Sequence, residues 1–280
     1  MKLFSACLTF LLITLTGNAQ NFRINLFGGI ANYQGDLQDK RFTFSQAKGA
    51  FGAGVSYDLS SKLVLRSGLT FAKITADDKL SSRNKARNLN FSSAITEGHI
   101  ALEYYLKDLS ESALSPYVFA GIAVYHFNPY TFDSTGNKVF LKSLSTEGQG
   151  FVTGRNPYNL TQISIPFGAG IKLALSDDIH VGVEVGLRKL FTDYLDDVST
   201  NYVDQAQLLA NRGQQAVSLA YRGNELKNGS PYPPAGNPRG GAKYKDWYYF
   251  SGINMSFRLG SNHSSHYGSR SGIGCPASLN

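Results

Sequence analysis

Residues 160–192 read LTQISIPFGAGIKLALSDDIHVGVEVGLRKLFT and contain two runs in which apolar residues alternate with polar or small ones. Every second residue is apolar from Ile163 to Leu175, and again from Val181 to Leu187. Alternation with a period of two is typical of a β-strand that has one apolar face. Because only the short polar turn Ser176-Asp177-Asp178 separates the runs, the stretch predicts a long antiparallel hairpin.

The same alternation recurs along the chain and predicts eight strands. They are residues 22–35, 49–59, 62–75, 96–106, 116–128, 160–175, 179–192 and 246–259. Each is roughly 10 to 16 residues long, which exceeds the usual length of soluble strands and is enough to cross a bilayer at a tilt. A soluble sandwich would have to hide every apolar face in one core, whereas a membrane barrel turns these faces toward lipid. We therefore predict an all-β fold, an eight-stranded antiparallel transmembrane β-barrel.

The connections between these strands alternate in length, which is a second and independent signal. Three short connections alternate with four long ones, at residues 36–48, 76–95, 129–159 and 193–245. Outer-membrane barrels have short periplasmic turns and longer extracellular loops, so the long connections should be extracellular. Residues 203–221 lose the period of two and are rich in helix formers, which predicts a helical insertion in the last loop.

The two ends of the chain differ from the middle. The first residues, MKLFSACLTFLLITLTGNAQ, have one Lys, an apolar run and a small-residue ending, which predicts a signal peptide over residues 1–19 that is cleaved near Ala19. We expect residues 20–260 to form the outer-membrane barrel domain and residues 261–280 to form a disordered polar tail.

Composition and motifs argue against several function classes. The formal charge of +7 is spread along the chain without a basic run, so no nucleic-acid partner is expected. The Cys and His residues lack the spacing of metal ligands, and the Gly-rich runs are not followed by the helix that a phosphate loop requires. We therefore expect a protein that is not an enzyme, with no cofactor, no metal and no small-molecule substrate.

Charged residues on the face opposite to the apolar one should point into the barrel lumen. Because side chains just fill the interior of an eight-stranded barrel, opposite charges there are expected to pair and close it. A transport pore is therefore not expected. The candidate lumen charge network comprises Arg66, Glu103, Lys172, Glu184 and Arg188, and Glu97 and Arg258 are on the same face.

Several segments resemble a known family. They read NYQGDL (32–37), SPYVFAGIAVYHFNP (115–129), STEGQG (145–150), IPFGAGIK (165–172) and LRKLFTDYLDDVSTNYVD (187–204). In this order they resemble the PorG family, an outer-membrane barrel of the type IX (Por) secretion system, and TDYLDDVST is the most specific part. The resemblance implies a non-enzymatic role in protein export, with partners in a periplasmic ring of the PorK lipoprotein and PorN type, besides the outer-membrane lipids.

Alternatives remain open at this point. The chain could be a stand-alone structural or adhesion barrel of the OmpA type, or a barrel enzyme or small-molecule channel. The acidic segment after the seventh strand also has three interpretations: Asp197 or Ser199 could cap the following turn, the segment could dock a basic partner, or it could hold a hard cation. The resemblance alone supports docking, and the candidate docking residues are Asp193, Tyr194, Asp196 and Asp197.

Overall fold

The computed structural model describes residues 21–38, 43–81 and 83–259. The expected signal peptide and the expected polar tail therefore lie outside the described residues. The described strands are β1 (Phe22–Gln34), β2 (Lys48–Asp58), β3 (Leu63–Asp77), β4 (Asn90–Tyr105), β5 (Leu114–Phe127), β6 (Tyr130–Phe132), β7 (Lys138–Phe140), β8 (Thr161–Ala174), β9 (Ile179–Leu190) and β10 (Trp247–Arg258).

The eight long strands form a closed antiparallel barrel. Their order around the wall is β3, β2, β1, β10, β9, β8, β5 and β4, and pairing of β3 with β4 completes the ring. Each sequence-predicted strand corresponds to one barrel strand, so the predicted fold class is confirmed. The β6–β7 hairpin was not predicted, because three-residue strands are too short to show an alternating pattern. It extends the wall beside β4, where Tyr130 pairs with Ser92.

The outer face of the barrel is apolar and exposed, while the inner face carries the charges. Exposed outward side chains occur on all eight long strands and include Leu26, Phe51, Leu69, Ile100, Ile122, Ile163, Val183 and Ile253. Small residues on the inner face allow close strand packing, since a Cβ atom on Gly54 would lie 2.2 Å from the carbonyl oxygen of Ser67. In the described part of the chain, no helix combines the length and the apolar character needed to cross a membrane.

The long connections fold together over one end of the barrel, and we call this body the cap. It consists of residues 35–38, 78–81, 83–89, 128–160 and 191–246. Its helix, α1 (Gln205–Ala220), agrees with the predicted helical insertion; the carboxylate of Asp204 caps its first turn, and the backbone kinks at Gly213. The hydrophobic core is continuous from the barrel interior, at Tyr125, into the cap, where Leu195 and Leu208 are fully buried.

Candidate functional site

A network of ion pairs crosses the lumen at the level of Arg66. Its guanidinium bridges two carboxylates, with Nη1 at 2.8 Å from Oε1 of Glu103 and at 2.6 Å from Oε2 of Glu184. Lys172 donates to the other oxygen of Glu103, with Nζ at 2.9 Å from Oε2. The hydroxyl of Tyr117 donates to Glu184 at 2.8 Å. The structure thus brings together four of the five candidate lumen residues.

Arg188, the fifth, belongs to a separate cluster. Its Nη2 lies 3.0 Å from Oε1 of Glu97, and the hydroxyl of Tyr248 donates to Oε2 of Glu97 at 2.6 Å. Arg188 and Glu184 are four residues apart in β9, which is about 13 Å along an extended strand, so their side chains lie at different levels of the lumen. Arg258, which was expected on the same inner face, is half-buried at the short-turn end.

These two clusters leave little free space across the lumen. Beside Arg66 and His99 lies a cavity of about 60 Å³, which has room for a few water molecules. At the short-turn end a recess of about 390 Å³ reaches inward as far as Lys172 and is lined by Arg23, His180 and Arg258. The paired charges compensate one another in this poorly solvated interior, as buried charges require.

The second polar site lies in the cap, where three segments singled out in the sequence meet. The carboxylate of Glu147, in residues 145–150, accepts hydrogen bonds from the backbone N–H groups of Ser199 and Thr200, both at 2.9 Å. It also pairs with Arg239, whose Nη1 is 3.0 Å from Oε1. The hydroxyl of Thr146 donates to Asp197 at 2.5 Å. These contacts hold residues 145–150 against residues 192–200.

Residues 32–37 join the same site through Tyr33. The Tyr33 oxygen lies 2.5 Å from Oδ2 of Asp196 and 3.2 Å from Oδ1 of Asp246. A hydroxyl has one hydrogen to donate, so the second contact requires a proton on one carboxyl group. Burial raises the pKa of both Asp196 and Asp246 well above the usual range, and the negative charge of Asp196 raises the pKa of Asp246 further. The buried pair of Asp196 and Asp246 therefore holds at least one proton, and the Tyr33 hydroxyl links the two carboxyl groups.

The candidate docking residues lie mostly inside the cap. Asp193, Asp196 and Asp197 are all buried, so these carboxylates do not form the exposed acidic surface that docking of a basic partner would need. Burial raises the pKa of Asp193 to about 7 and that of Asp197 to about 6. Tyr194 is half-buried and stacks on Tyr158, with ring centroids 4.9 Å apart.

Asp196 makes a turn-capping contact, whereas Asp197 or Ser199 was the residue expected to make one. Asp196 accepts a hydrogen bond from the backbone N–H of Val198 at 2.9 Å, whereas Asp197 accepts from the hydroxyls of Thr146 and Tyr158. The hydroxyl of Ser199 donates to Asp193 at 2.8 Å and caps no helix. Across the described ranges, no group of three or more His, Cys, Asp or Glu residues is arranged to hold a metal ion.

Sequence reasoning missed the basic residue and the acid at the centre of this site. Arg239 lies in a Pro/Gly-rich stretch and Asp246 just before β10, and neither belongs to a recognisable motif. Their partners are remote in the sequence: Glu147 is 92 positions from Arg239, and Tyr33 is 213 positions from Asp246. These pairings become visible only in the folded structure, where residues 145–150 lie against residues 192–200.

A protein-family model matches most of the residues that form this polar site. The family described as "Domain of unknown function (DUF6089)" matches residues 1–211, three quarters of the chain. The chain belongs to the DUF6089 family. Residues 32–37, 145–150 and 192–200 of this DUF6089 protein lie within the match, whereas Arg239, Asp246 and β10 lie beyond it. No curated protein matches the sequence.

Solved structures similar to this DUF6089 protein include Neisserial surface protein A, with 8% identity, a TM-score of 0.41 and coverage of 85% of this chain and 97% of that one. The outer membrane protein OprG from Pseudomonas aeruginosa has 13% identity, a TM-score of 0.41 and coverage of 86% of this chain and 98% of that one. Ail of Yersinia pestis, in complex with the heparin analogue sucrose octasulfate, has 7% identity, a TM-score of 0.38 and coverage of 84% and 97%. At these identities the likeness concerns the fold alone.

Proposed function

We propose that this DUF6089 protein is a non-enzymatic barrel of the bacterial outer membrane that anchors the periplasmic ring of a type IX protein secretion system. The membrane assignment rests on the closed wall and its exposed apolar face, because a closed barrel satisfies every strand hydrogen bond within lipid. The secretion assignment rests on the resemblance of residues 32–37, 145–150 and 192–200 to the PorG family.

The observation that carries the proposal is the convergence of those three segments in one buried polar site. Glu147 and Tyr33 tie residues from different loops together, and hydrophobic side chains such as Leu195 pack beneath them. The long loops therefore form a single packed body, unlike the independent mobile loops expected of an adhesin. Together with the paired charges in the lumen, this rigidity favours a structural component over a channel.

The orientation of the barrel decides where a ring could bind. The cap contains the long loops and faces outward under the outer-membrane topology, while the short turns face the periplasm. Asp193 and its neighbours lie at the end opposite to a periplasmic ring, so they are not proposed as its contact. We place the ring contact at the short-turn end, around residues 59–62 and the recess lined by Arg23 and Arg258.

Co-purification from solubilised outer membranes tests the proposal. The tagged protein should retain ring proteins of the PorK and PorN type, and Ser60→Trp in an exposed short turn should reduce that retention. Thr135→Trp, in the exposed turn of the β6–β7 hairpin, is the matched control and should retain the ring. If the folded barrel retains no ring protein at all, the chain is instead a stand-alone barrel of the OmpA type.

A further inference from the structure

An outward-facing patch near the cap end of the wall combines aromatic rings with lysines. We call it the aromatic–lysine patch, and it comprises Lys73, Tyr130, Phe132, Lys138 and Phe140. In the β6–β7 hairpin, Tyr130 pairs with Phe140 and Phe132 pairs with Lys138, so these four side chains share one face. Tyr130 also pairs with Ser92, whose partner in β3 is Thr75, so this face continues the outer face of the barrel.

Lys73 is the position on β3 at which the row of exposed apolar side chains on the outer face ends. On β3 the outward side chains of Leu65, Leu69 and Phe71 are exposed, and Lys73 is the next residue on that face. Beyond it, Phe132 and Phe140 of the hairpin are 50% and 41% exposed. The patch therefore lies at the boundary between the lipid-facing wall and the cap.

Two ammonium groups converge on the ring of Tyr130. The Nζ atom of Lys138 lies 3.9 Å from the ring centroid and that of Lys73 lies 5.6 Å from it. The Lys138 ammonium is also 4.7 Å from the centroid of Phe140. Among the residues that the structure describes, neither lysine forms an ion pair with a carboxylate. Two like charges are thus held close to one ring with no acidic partner.

We propose that the aromatic–lysine patch binds the phosphate of an anionic lipid in the leaflet at the cap end. The two ammonium groups supply the charge that a phosphate requires, and the exposed rings of Phe132 and Phe140 contact the apolar part of the lipid beside it. Aromatic rings and lysines are favoured at the level of lipid headgroups for these two reasons. The inference rests on the proposed membrane-spanning barrel and does not depend on a secretion role.

Native mass spectrometry of the full-length barrel in detergent tests this inference by measuring how tightly a short-chain phosphatidic acid binds. Phosphatidic acid should bind more tightly than the short-chain phosphatidylcholine of equal length. Lys73→Gln and Lys138→Gln together should weaken phosphatidic acid binding by about five-fold per lysine, because each basic residue near anionic lipid contributes about that factor. Binding of phosphatidylcholine should not change.

The matched control is Lys85→Gln with Lys227→Gln, which removes the same charge from two exposed lysines of the cap. Retention of tight phosphatidic acid binding by this control supports the site, whereas an equal loss would show only general attraction and would overturn it. Equal affinity of the wild type for both lipids would also overturn it. A barrel that never gives the compact, heat-modifiable band on a gel would instead contradict the membrane-spanning barrel itself.

Discussion

Glu147 and Arg239 are 92 positions apart in the sequence, yet Oε1 of one lies 3.0 Å from Nη1 of the other and both side chains are buried. Arg239→Met should destabilise the cap by about 3–5 kcal/mol, because it leaves the buried charge of Glu147 uncompensated. Protease sensitivity of the cap in the folded barrel measures this effect. The double variant with Glu147→Gln should recover part of the loss.

An ion pair with one exposed partner provides the control for that prediction. Arg222 and Glu225 are 2.9 Å apart, and the Glu225 side chain is 40% exposed. Because an ion pair with an exposed partner contributes only about 0–1 kcal/mol, Glu225→Gln should change protease sensitivity little. Equal protease sensitivity of Arg239→Met and Glu225→Gln would show that the pair of Glu147 and Arg239 does not hold the cap together.

The lumen network predicts an asymmetry between neighbouring residues of β9. Glu184→Ala removes the bidentate partner of Arg66 and should cost about 3–5 kcal/mol, because Glu103 is then the one carboxylate left to compensate the buried charges of both Arg66 and Lys172. Val183→Ala, at a position 61% exposed on the outer wall, should have a small effect. The temperature at which the folded band disappears in a heat-modifiability gel distinguishes them, and equal shifts would contradict the assignment of inner and outer faces.

Arg188 provides a separate test of how the lumen is divided. Arg188 pairs with Glu97 and not with Glu184. The decreases in unfolding free energy caused by Glu184→Ala and by Arg188→Ala should therefore add to within about 0.5 kcal/mol when measured by urea unfolding. A coupling free energy well above that value would mean that the two clusters act as one.

The cap should become less stable as pH rises toward neutrality. The folded-state pKa of Asp193 is about 7, raised by burial, whereas an unfolded Asp has a pKa of about 3.9. The folded cap therefore holds this proton more tightly, so the stabilisation is full below about pH 4 and is lost as pH rises through about 7. Asp197, with a pKa of about 6, acts in the same direction.

Hydrogen exchange of cap amides, corrected for the intrinsic effect of pH, measures this dependence. Protection should fall between about pH 4 and pH 7 in the wild type, because over that interval the folded cap holds the Asp193 proton more tightly than the unfolded chain does. Asp193→Asn keeps a neutral group of the same shape and should flatten the profile. An unchanged slope in that variant would exclude Asp193 as a cause.

Membrane topology can be tested with single cysteines after Cys275 is replaced. A thiol reagent that does not cross the outer membrane should label Thr135→Cys, in the exposed hairpin turn of the cap, on intact cells. Ser60→Cys, in a short turn, should be labelled only after the cells are permeabilised. The reverse pattern would place the cap in the periplasm.

The sequence was informative about the wall because each barrel strand carries its own alternating pattern. Val181, Val183 and Val185 repeat every second residue whatever the neighbouring strand contains. The same alternation identified the charged residues that face inward, but it could not show which of them pair with one another. Glu184 meets Arg66 across 118 positions of sequence, a relationship set by strand order and register and not by local pattern.

The cap was less predictable because its stability depends on contacts between loops. Residues 192–200 look from the sequence like an exposed acidic run, since three carboxylates in five positions normally favour water. Hydrogen bonds from Tyr33 to Asp196 and from Thr146 to Asp197 help to make this burial possible, and both donors lie outside residues 192–200. No pattern within residues 192–200 indicates these donors.

The arrangement of the cap also sets an order of events during biogenesis. Asp246 and Trp247 are consecutive, so the contact of Asp246 with Tyr33 near the end of β1 can form only when the last strand has reached the first. A nascent chain that lacks residues after 238 would leave Glu147 without Arg239. Completion of the cap thus depends on closure of the wall, and a truncated or unclosed chain should leave these loops more open to proteases.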